Sequence, residues 1–219
     1  MTAALRFDLV IFDNDGVLID GERLAFGVLG TLLDDHGLPL PLDEPMERFL
    51  GGPLSRVVEW AAASGWPLPD DLVARYHDDL YSAFERGLAP TPGVVEVLDR
   101  VSTVAAICVA SSGTRERIRR SLARVGLLNR FRGRIFSAAD VTRGKPAPAL
   151  FRHAAATMGV AADRCVVIED SPLGIEAANA AGMASVGFSG SVPSEQLGGA
   201  SLGVVSEMAR LPARLGLPA

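Results

Sequence analysis

Two carboxylates one residue apart, Asp13 and Asp15, follow the apolar run 9–12 and precede Gly16. A strand buried on both faces has a continuous apolar sequence, and ligands of open α/β sheets bind beyond the carboxyl ends of the strands. Because a carboxylate is ionised at pH 7, Asp13 is a candidate nucleophile, and Asp15 is placed to move protons for the same substrate. An acidic turn is the structural alternative, since Asp-Gly is a common turn dipeptide.

Two further apolar runs end in chemically active side chains. The run 104–110 ends at Ser111 and Ser112, the run 165–168 ends at Glu169 and Asp170, and Lys145 lies between them. Taken singly, each has a structural explanation: a serine caps the next helix, the acids face water, and the lysine is solvated. Taken together, they are the groups that phosphoryl transfer needs. Carboxylates hold Mg²⁺, hydroxyl and N–H groups bind phosphate oxygens, and a lysine neutralises charge.

The order of these motifs resembles that of the haloacid dehalogenase-like hydrolases, in particular their phosphatase and phosphosugar mutase branch with a helical cap after the first motif. The resemblance covers nearly the whole chain. Three specific motifs carry it, FDNDGVL at 12–18, GKPAP at 144–148 and IEDSPLGI at 168–175, while Ser111 matches by its order and its strand.

The resemblance implies a role for each of these residues. Asp13 is expected to attack phosphorus and Asp15 to act as general acid and base. The phosphoryl group is expected to be bound by Ser111, Ser112 and Lys145. The expected Mg²⁺ ligands are Asp13, the backbone carbonyl of Asp15 and Asp170, with Glu169 a direct or water-mediated partner. The cofactor is therefore expected to be Mg²⁺.

Three rival functions differ from a phosphatase in identifiable features. The phosphosugar mutases of this branch carry a cap histidine just after the first motif, whereas residues 22–26 contain none and the first histidine is His36. This favours a hydrolase, with a mutase of the beta-phosphoglucomutase type as the alternative. A dehalogenase of the same fold has no acid that matches Asp15. A signalling receiver domain is about half this length and lacks a helical insertion after the first strand.

The hydrophobic pattern predicts an α/β fold: a Rossmann-like, doubly wound, mainly parallel sheet with an inserted α-helical cap domain. The predicted strands are 5–12, 104–110, 134–136, 165–168 and 185–188, and the predicted core helices are 94–100, 114–125, 146–158 and 173–181. Three further helices, 22–36, 54–63 and 70–85, form a block in which we expect no strand. We therefore assign residues 1–18 and 88–219 to the catalytic core and residues 19–87 to the cap.

Substrate specificity is expected to reside in the cap. Glu22, Arg48 and Arg56 are candidates for contacting a polar substrate, with a solvated helix face as the alternative for each. Trp60 and Trp66 are expected to lie in the cap core. A small cap predicts a small phosphorylated metabolite, such as a sugar phosphate, as the substrate.

The composition suits a soluble enzyme. The chain has 219 residues, of which 48% are hydrophobic, enough for a substantial core. Its net charge of −5 argues against nucleic acid as a partner. No apolar run reaches the roughly 20 residues that span a bilayer, and no signal peptide is recognised. With Cys108 and Cys165 inside apolar strands, we expect buried thiols, a cytoplasmic location and a monomer or weak dimer.

Overall fold

Two sheets are present in the computed structural model, which describes residues 6–37, 55–63, 65–66, 68–190 and 192–217. Their strands are β1 (Leu9–Phe12), β2 (Ile19–Asp20), β3 (Ala89–Pro90), β4 (Ala106–Ser111), β5 (Ile135–Ser137), β6 (Cys165–Glu169), β7 (Ala184–Phe188) and β8 (Val204–Val205). The main sheet has the order β5-β4-β1-β6-β7-β8, and its neighbouring strands are all parallel. The first strand of the chain therefore lies inside the sheet, between β4 and β6.

Helices cover both faces of this sheet. The α-helices are α1 (Glu22–Asp35), α2 (Ser55–Ala63), α3 (Leu72–Gly87), α4 (Val94–Val101), α5 (Arg115–Arg124), α6 (Ala149–Met158), α7 (Pro172–Ala181) and α8 (Leu211–Arg214). Val10 and Phe12 of β1 belong to one core cluster, together with buried residues of α4 and α5. Leu9 and Ile11 belong to a second cluster, together with buried residues of α6 and α7. This alternation confirms the predicted doubly wound α/β fold.

The helical block after β1 contains α1, α2 and α3, of which α1 packs against α3. Two short strands that the sequence did not predict, β2 and β3, flank this block and pair antiparallel with each other. The N–H of Thr91 donates to the carbonyl of Leu18 at 3.1 Å and extends this connection. Two-residue strands leave no periodic pattern, which is why the sequence did not reveal them. The boundaries of the core and the cap stay a prediction.

Smaller differences concern the ends of elements and one tryptophan. Strand β1 begins at residue 9 rather than residue 5, and α6 begins at Ala149 rather than Pro146, since Pro148 is its N-cap. Strand β8 was not predicted. Trp66 is 51% exposed, so its assignment to the cap core is wrong, whereas Trp60 is partly buried against the core. Among the described residues, no helix is both long and apolar enough to cross a membrane.

Candidate active site

The expected site residues lie at the carboxyl edge of the main sheet. Asp13 directly follows β1, Glu169 ends β6, and these strands are paired through Phe12 and Ile168. The N–H of Asp13 donates to the carbonyl of Ile168 at 3.0 Å. Ser111 ends β4, which lies on the other side of β1. The parallel arrangement therefore brings three strand ends of distant sequence to one edge.

The loop after β1 turns at Gly16, whose φ is 76°. The N–H of Gly16 donates to the carbonyl of Ile19 at 2.9 Å, and the carbonyl of Asn14 accepts from the N–H groups of Leu18 and Ile19. A Cβ atom on Gly16 would lie 1.8 Å from Oδ2 of Asp170. A glycine is thus required at this position, both for its backbone conformation and for the close approach of Asp170.

Lys145 joins the acids that follow β1 and end β6. Its Nζ donates to Oδ1 of Asp13 at 2.7 Å and also to Oε1 of Glu169. The Lys145 side chain is only 2% exposed, which excludes the solvated-loop alternative. Burial alone lowers the pKa of Lys145, but the charges of Asp13 and Glu169 more than offset this effect and raise the pKa above its ordinary value. Lys145 is therefore a permanent cation inside the site at neutral pH.

Glu169 is also held by the first turn of α7. Ser171 donates to Oε2 of Glu169 from its N–H at 3.0 Å and from its hydroxyl at 2.8 Å. The same hydroxyl accepts from the N–H of Gly174 at 3.0 Å and caps the helix. A Cβ atom on Gly174 would lie 1.9 Å from the Cδ atom of Glu169. Ser171 was not among the predicted site residues, although a serine followed by proline is a recognised helix start.

The ionisation of Asp13 depends on positive charge nearby. The pKa of Asp13 is raised from 3.8 to about 7, chiefly because the side chain is buried; Lys145 opposes this rise, and the Glu169 carboxylate adds to it. The protein provides one buried cation, Lys145, for two buried acids, Asp13 and Glu169, and this incomplete compensation contributes to the raised pKa of Asp13.

Ser111 and Ser112 lie at the same edge of the sheet. Ser111 is buried and Ser112 is half-buried. The N–H of Gly113 approaches the Ser111 hydroxyl at 3.4 Å. Neither serine caps α5, because the N-cap is Thr114, whose hydroxyl accepts from the N–H of Arg117 at 3.2 Å. The helix-cap alternative is therefore wrong, and phosphate binding by the two serines stays a prediction.

Asp15 contacts an arginine that the sequence analysis did not identify. Nη2 of Arg117 lies 2.9 Å from Oδ1 of Asp15, and their side chains are 16% and 19% exposed. On the same helix, the Ser121 hydroxyl accepts from Nδ2 of Asn14 at 3.1 Å in a fully buried contact. These pairs are 102 and 107 residues apart, so no local pattern could predict them. The one available signal is that α5 starts at the strand end that carries Ser111.

The side chains of the three cap candidates lie outside the described part of the structure. Glu22 is the first residue of α1 and Arg56 is the second residue of α2, while Arg48 lies outside the described residues. Their role in substrate binding stays a prediction.

The donor set at the sheet edge fits a hard divalent cation. Among the described residues, no three His, Cys, Asp or Glu side chains converge as a preformed metal cage. Mg²⁺ is commonly bound by one or two carboxylates and keeps several waters and substrate oxygens in its shell. Asp13 and Asp170 supply such carboxylates, and the contact of Asp170 with Gly16 places its carboxylate against the loop that carries Asp15. The residues present therefore fit Mg²⁺ better than a soft metal.

The chain is similar to known proteins over most of its length. The family model described as haloacid dehalogenase-like hydrolase matches residues 10–188. The chain is 29% identical over 180 residues to the 6-phosphogluconate phosphatase of Escherichia coli (strain K12), covering 81% of this chain and 80% of that protein. It is 31% identical over 181 residues to the phosphorylated carbohydrates phosphatase of Thermotoga maritima, covering 80% of this chain and 82% of that protein.

A solved structure extends the similarity over nearly the whole chain. A conserved haloacid dehalogenase-like protein of unknown function from Agrobacterium tumefaciens superposes with a TM-score of 0.82 at 36% identity, covering 96% of this chain and 98% of that one. The family match spans most of the chain, and the Asp13, Lys145 and Glu169 motifs that suggested the resemblance lie within it. The chain therefore belongs to the haloacid dehalogenase-like hydrolase family.

Proposed function

We propose that the protein is a Mg²⁺-dependent phosphatase that hydrolyses small phosphate monoesters through an aspartyl-phosphate intermediate. The observation that carries the proposal is the buried contact of Lys145 with both Asp13 and Glu169 at the strand ends. A lysine held between two acids is positioned to neutralise both the nucleophile and an incoming phosphate. The family relationship and the phosphatase names of the relatives support the same activity.

In the first step, a carboxylate oxygen of Asp13 attacks phosphorus. The new bond joins Asp13 to phosphorus, and the bond between phosphorus and the ester oxygen breaks. The departing alkoxide takes a proton from the Asp15 carboxyl group, and the alcohol leaves. Lys145 keeps Asp13 in place through Oδ1.

In the second step, water attacks the phosphorus of the aspartyl phosphate. Asp15, which is now a carboxylate, takes the proton of the water, while the Asp13 carboxylate departs as the leaving group. Inorganic phosphate is released, and both aspartates return to their starting state. The predicted phosphate contacts of Ser111 and Ser112 hold the transferring group through both steps.

Bound Mg²⁺ supplies the positive charge that allows an anionic nucleophile to approach an anionic phosphate. Asp13, the Asp15 carbonyl and Asp170 are its proposed ligands. Oε1 of Glu169 already accepts from Lys145 and its Oε2 accepts from Ser171. We therefore propose that Glu169 contacts the metal through water rather than directly.

The substrate is proposed to be a sugar phosphate or a related phosphorylated metabolite. The relatives named as 6-phosphogluconate and phosphorylated carbohydrate phosphatases support this class. Glu22, Arg48 and Arg56 are retained as candidates for contacting the part of the substrate that carries no phosphoryl group. Cys108 and Cys165 are free and buried, which supports the proposed cytoplasmic location.

The test is release of inorganic phosphate from a panel of phosphorylated sugars and sugar acids, with Mg²⁺ and with chelator. We expect Mg²⁺-dependent turnover that is abolished by Asp13→Asn, which has no anionic oxygen for attack, and nearly abolished by Asp15→Asn. Substantial phosphatase activity of folded Asp13→Asn would refute the assignment of the nucleophile.

The same panel distinguishes a hydrolase from a mutase. A sugar 1-phosphate supplied with its bisphosphate is expected to yield free phosphate, observed by phosphorus NMR. Isomerised sugar phosphate as the main product would replace the proposed function by the mutase alternative.

A further inference from the structure

Arg117 is fixed next to the proposed general acid and base. It lies in the first turn of α5, where its N–H is bound by the Thr114 side chain, and its guanidinium contacts Oδ1 of Asp15 at 2.9 Å. The buried contact between Asn14 and Ser121 attaches the same helix to the loop that carries Asp15. The helix and the loop are thus held together at two points, and the arginine has little freedom to leave the carboxylate.

Arg117 also contacts the helical block. Helix α3 packs against α5. Burial alone lowers the pKa of Arg117, but the Asp15 carboxylate and the neighbouring Tyr76 hydroxyl of α3 more than offset this effect and raise the pKa. Tyr76 itself is 5% exposed. Arg117 therefore connects a residue of α3 to the carboxylate that is proposed to transfer protons.

Two other arginines on the same face of α5 contact α3 further along. The guanidinium of Arg120 lies 4.2 Å from the ring centroid of Tyr81, and Nη2 of Arg124 donates to the carbonyl of Glu85 at 3.0 Å. The spacing of residues 117, 120 and 124 places all three on one side of the helix. Arg120 and Arg124 contact α3 and make no described contact with Asp15, so Arg117 has a function that they do not share.

We propose that Arg117 is a positioning residue that orients Asp15 for proton transfer, and that Tyr76 of the cap holds Arg117 in place. The inference rests on the proposed function, in which Asp15 protonates the leaving group and activates water. A proton donor must lie within about 2.6–3.2 Å of its acceptor, so a small rotation of the carboxylate removes its effect. Arg117 binds Oδ1, which assigns proton transfer to Oδ2.

The chemistry offers a selective test because leaving groups differ in their need for a proton. The 4-nitrophenolate group of 4-nitrophenyl phosphate departs without protonation, whereas the sugar alkoxide of glucose 6-phosphate requires it. Under single-turnover conditions with enzyme in excess, leaving-group release reports the first step alone. We expect Arg117→Met to slow this step by about 10–100-fold for the alkyl ester, which is part of the usual contribution of general acid catalysis. Release of 4-nitrophenol is expected to change much less.

Conservative variants separate positioning from a general role in folding. Arg117→Lys keeps a cation near Asp15 and is expected to recover part of the lost rate. Tyr76→Phe removes the hydroxyl contact and is expected to show a smaller loss with the same substrate selectivity. Arg120→Gln is the matched control, because it weakens the contact between α5 and α3 without affecting Asp15. For this variant we expect the ratio of the release rates from glucose 6-phosphate and 4-nitrophenyl phosphate to stay at the wild-type value.

Each alternative outcome refutes the inference in a different way. Equal losses for both esters would show that Arg117 supports the structure as a whole. In companion steady-state assays, a higher KM with an unchanged kcat would make Arg117 a substrate-binding group. A faster single-turnover reaction would make Arg117 a restraint on Asp15. If Arg117→Met does not fold, as checked by circular dichroism, Arg117→Lys and Tyr76→Phe provide the same comparison. A wild-type protein that releases neither leaving group would instead refute the proposed function itself.

Discussion

Replacing Asp13 by asparagine is expected to stabilise the metal-free protein at neutral and higher pH while abolishing catalysis. The pKa of Asp13 is raised in the folded protein, chiefly by burial, so the folded state binds a proton more tightly than the unfolded state. Stability is therefore lost as the pH rises from about 4 towards about 7. Asparagine resembles the protonated side chain in shape and escapes this loss.

The magnitude follows from the two pKa values. A rise from 3.8 to about 7 corresponds to about 4 kcal/mol, because each pKa unit is worth about 1.4 kcal/mol. Local relaxation and water penetration reduce the cost of burying an ion. We therefore expect Asp13→Asn to raise the free energy of unfolding by about 2–4 kcal/mol above pH 7. The amide oxygen of the new side chain can still accept from Lys145, which limits any opposing loss.

The assay is urea unfolding of both proteins with chelator between pH 5 and pH 8, followed by circular dichroism. Asp140→Asn is a control of identical chemistry and opposite sign. Burial raises the pKa of Asp140, but the N–H of Ser137 and the Arg115 guanidinium outweigh this effect and lower the pKa overall. Asp140→Asn is therefore expected to destabilise the protein by a constant amount across this pH range, because its effect shrinks only below about pH 3.8.

Two results would refute this reasoning. Equal stability of the wild-type protein and Asp13→Asn at pH 8 would show that the buried carboxylate is not destabilising. If the difference in free energy of unfolding between the two proteins does not grow between pH 5 and pH 7, a group other than Asp13 causes that difference. Added Mg²⁺ is expected to stabilise the wild-type protein preferentially and to narrow the difference, because a ligand that binds only the folded state shifts the equilibrium towards it.

Three further predictions concern the packing and the metal. Gly174→Ala places a methyl group 1.9 Å from the Cδ atom of Glu169, so we expect its free energy of unfolding, measured in urea, to fall by about 1–3 kcal/mol. Gly27→Ala on α1 places a methyl group in open space, so we expect its free energy of unfolding to rise by about 0.5–1 kcal/mol. Gly16→Ala forces Asp170 away from the loop and is expected to weaken Mg²⁺ binding, measured by calorimetry; unchanged affinity would contradict the role of Asp170. Ca²⁺ is expected to compete with Mg²⁺ and lower the maximal rate, because its larger shell favours bidentate capture of the attacking carboxylate. Full activity with Ca²⁺ in a Mg²⁺ titration would contradict that mechanism.

The sequence was sufficient to predict the sheet edge at which the site lies. Apolar runs that end in Asp13, Ser111 and Glu169 predict buried parallel strands, and such strands end on the same side of a sheet. This follows from one topological rule, so it needs no knowledge of side-chain contacts. The family resemblance then gave the proposed roles, which the geometry alone does not assign.

The sequence did not reveal the contacts that hold these residues in place. The pairing of β2 with β3 involves two residues on each strand, too few for a periodic signal. The contacts of Arg117 with Asp15 and of Asn14 with Ser121 join positions more than 100 residues apart. An arginine on a helix rich in arginines has no feature of its own that marks it as the one facing the site. Such contacts depend on how α5 packs, which is a property of the whole fold.

The charges at the sheet edge disfavour the stability of the metal-free protein and are suited to the proposed metal-dependent reaction. Asp13 and Glu169 share one cation, Lys145, in a region from which water is largely excluded. This group carries an excess of negative charge, and part of the rise in the pKa of Asp13 comes from Glu169. A divalent cation relieves that excess and restores the ionised nucleophile, whereas a second lysine would neutralise the site permanently and leave nothing to attract Mg²⁺. We therefore expect the incomplete compensation of the two acids to couple ionisation of Asp13 to binding of the proposed Mg²⁺.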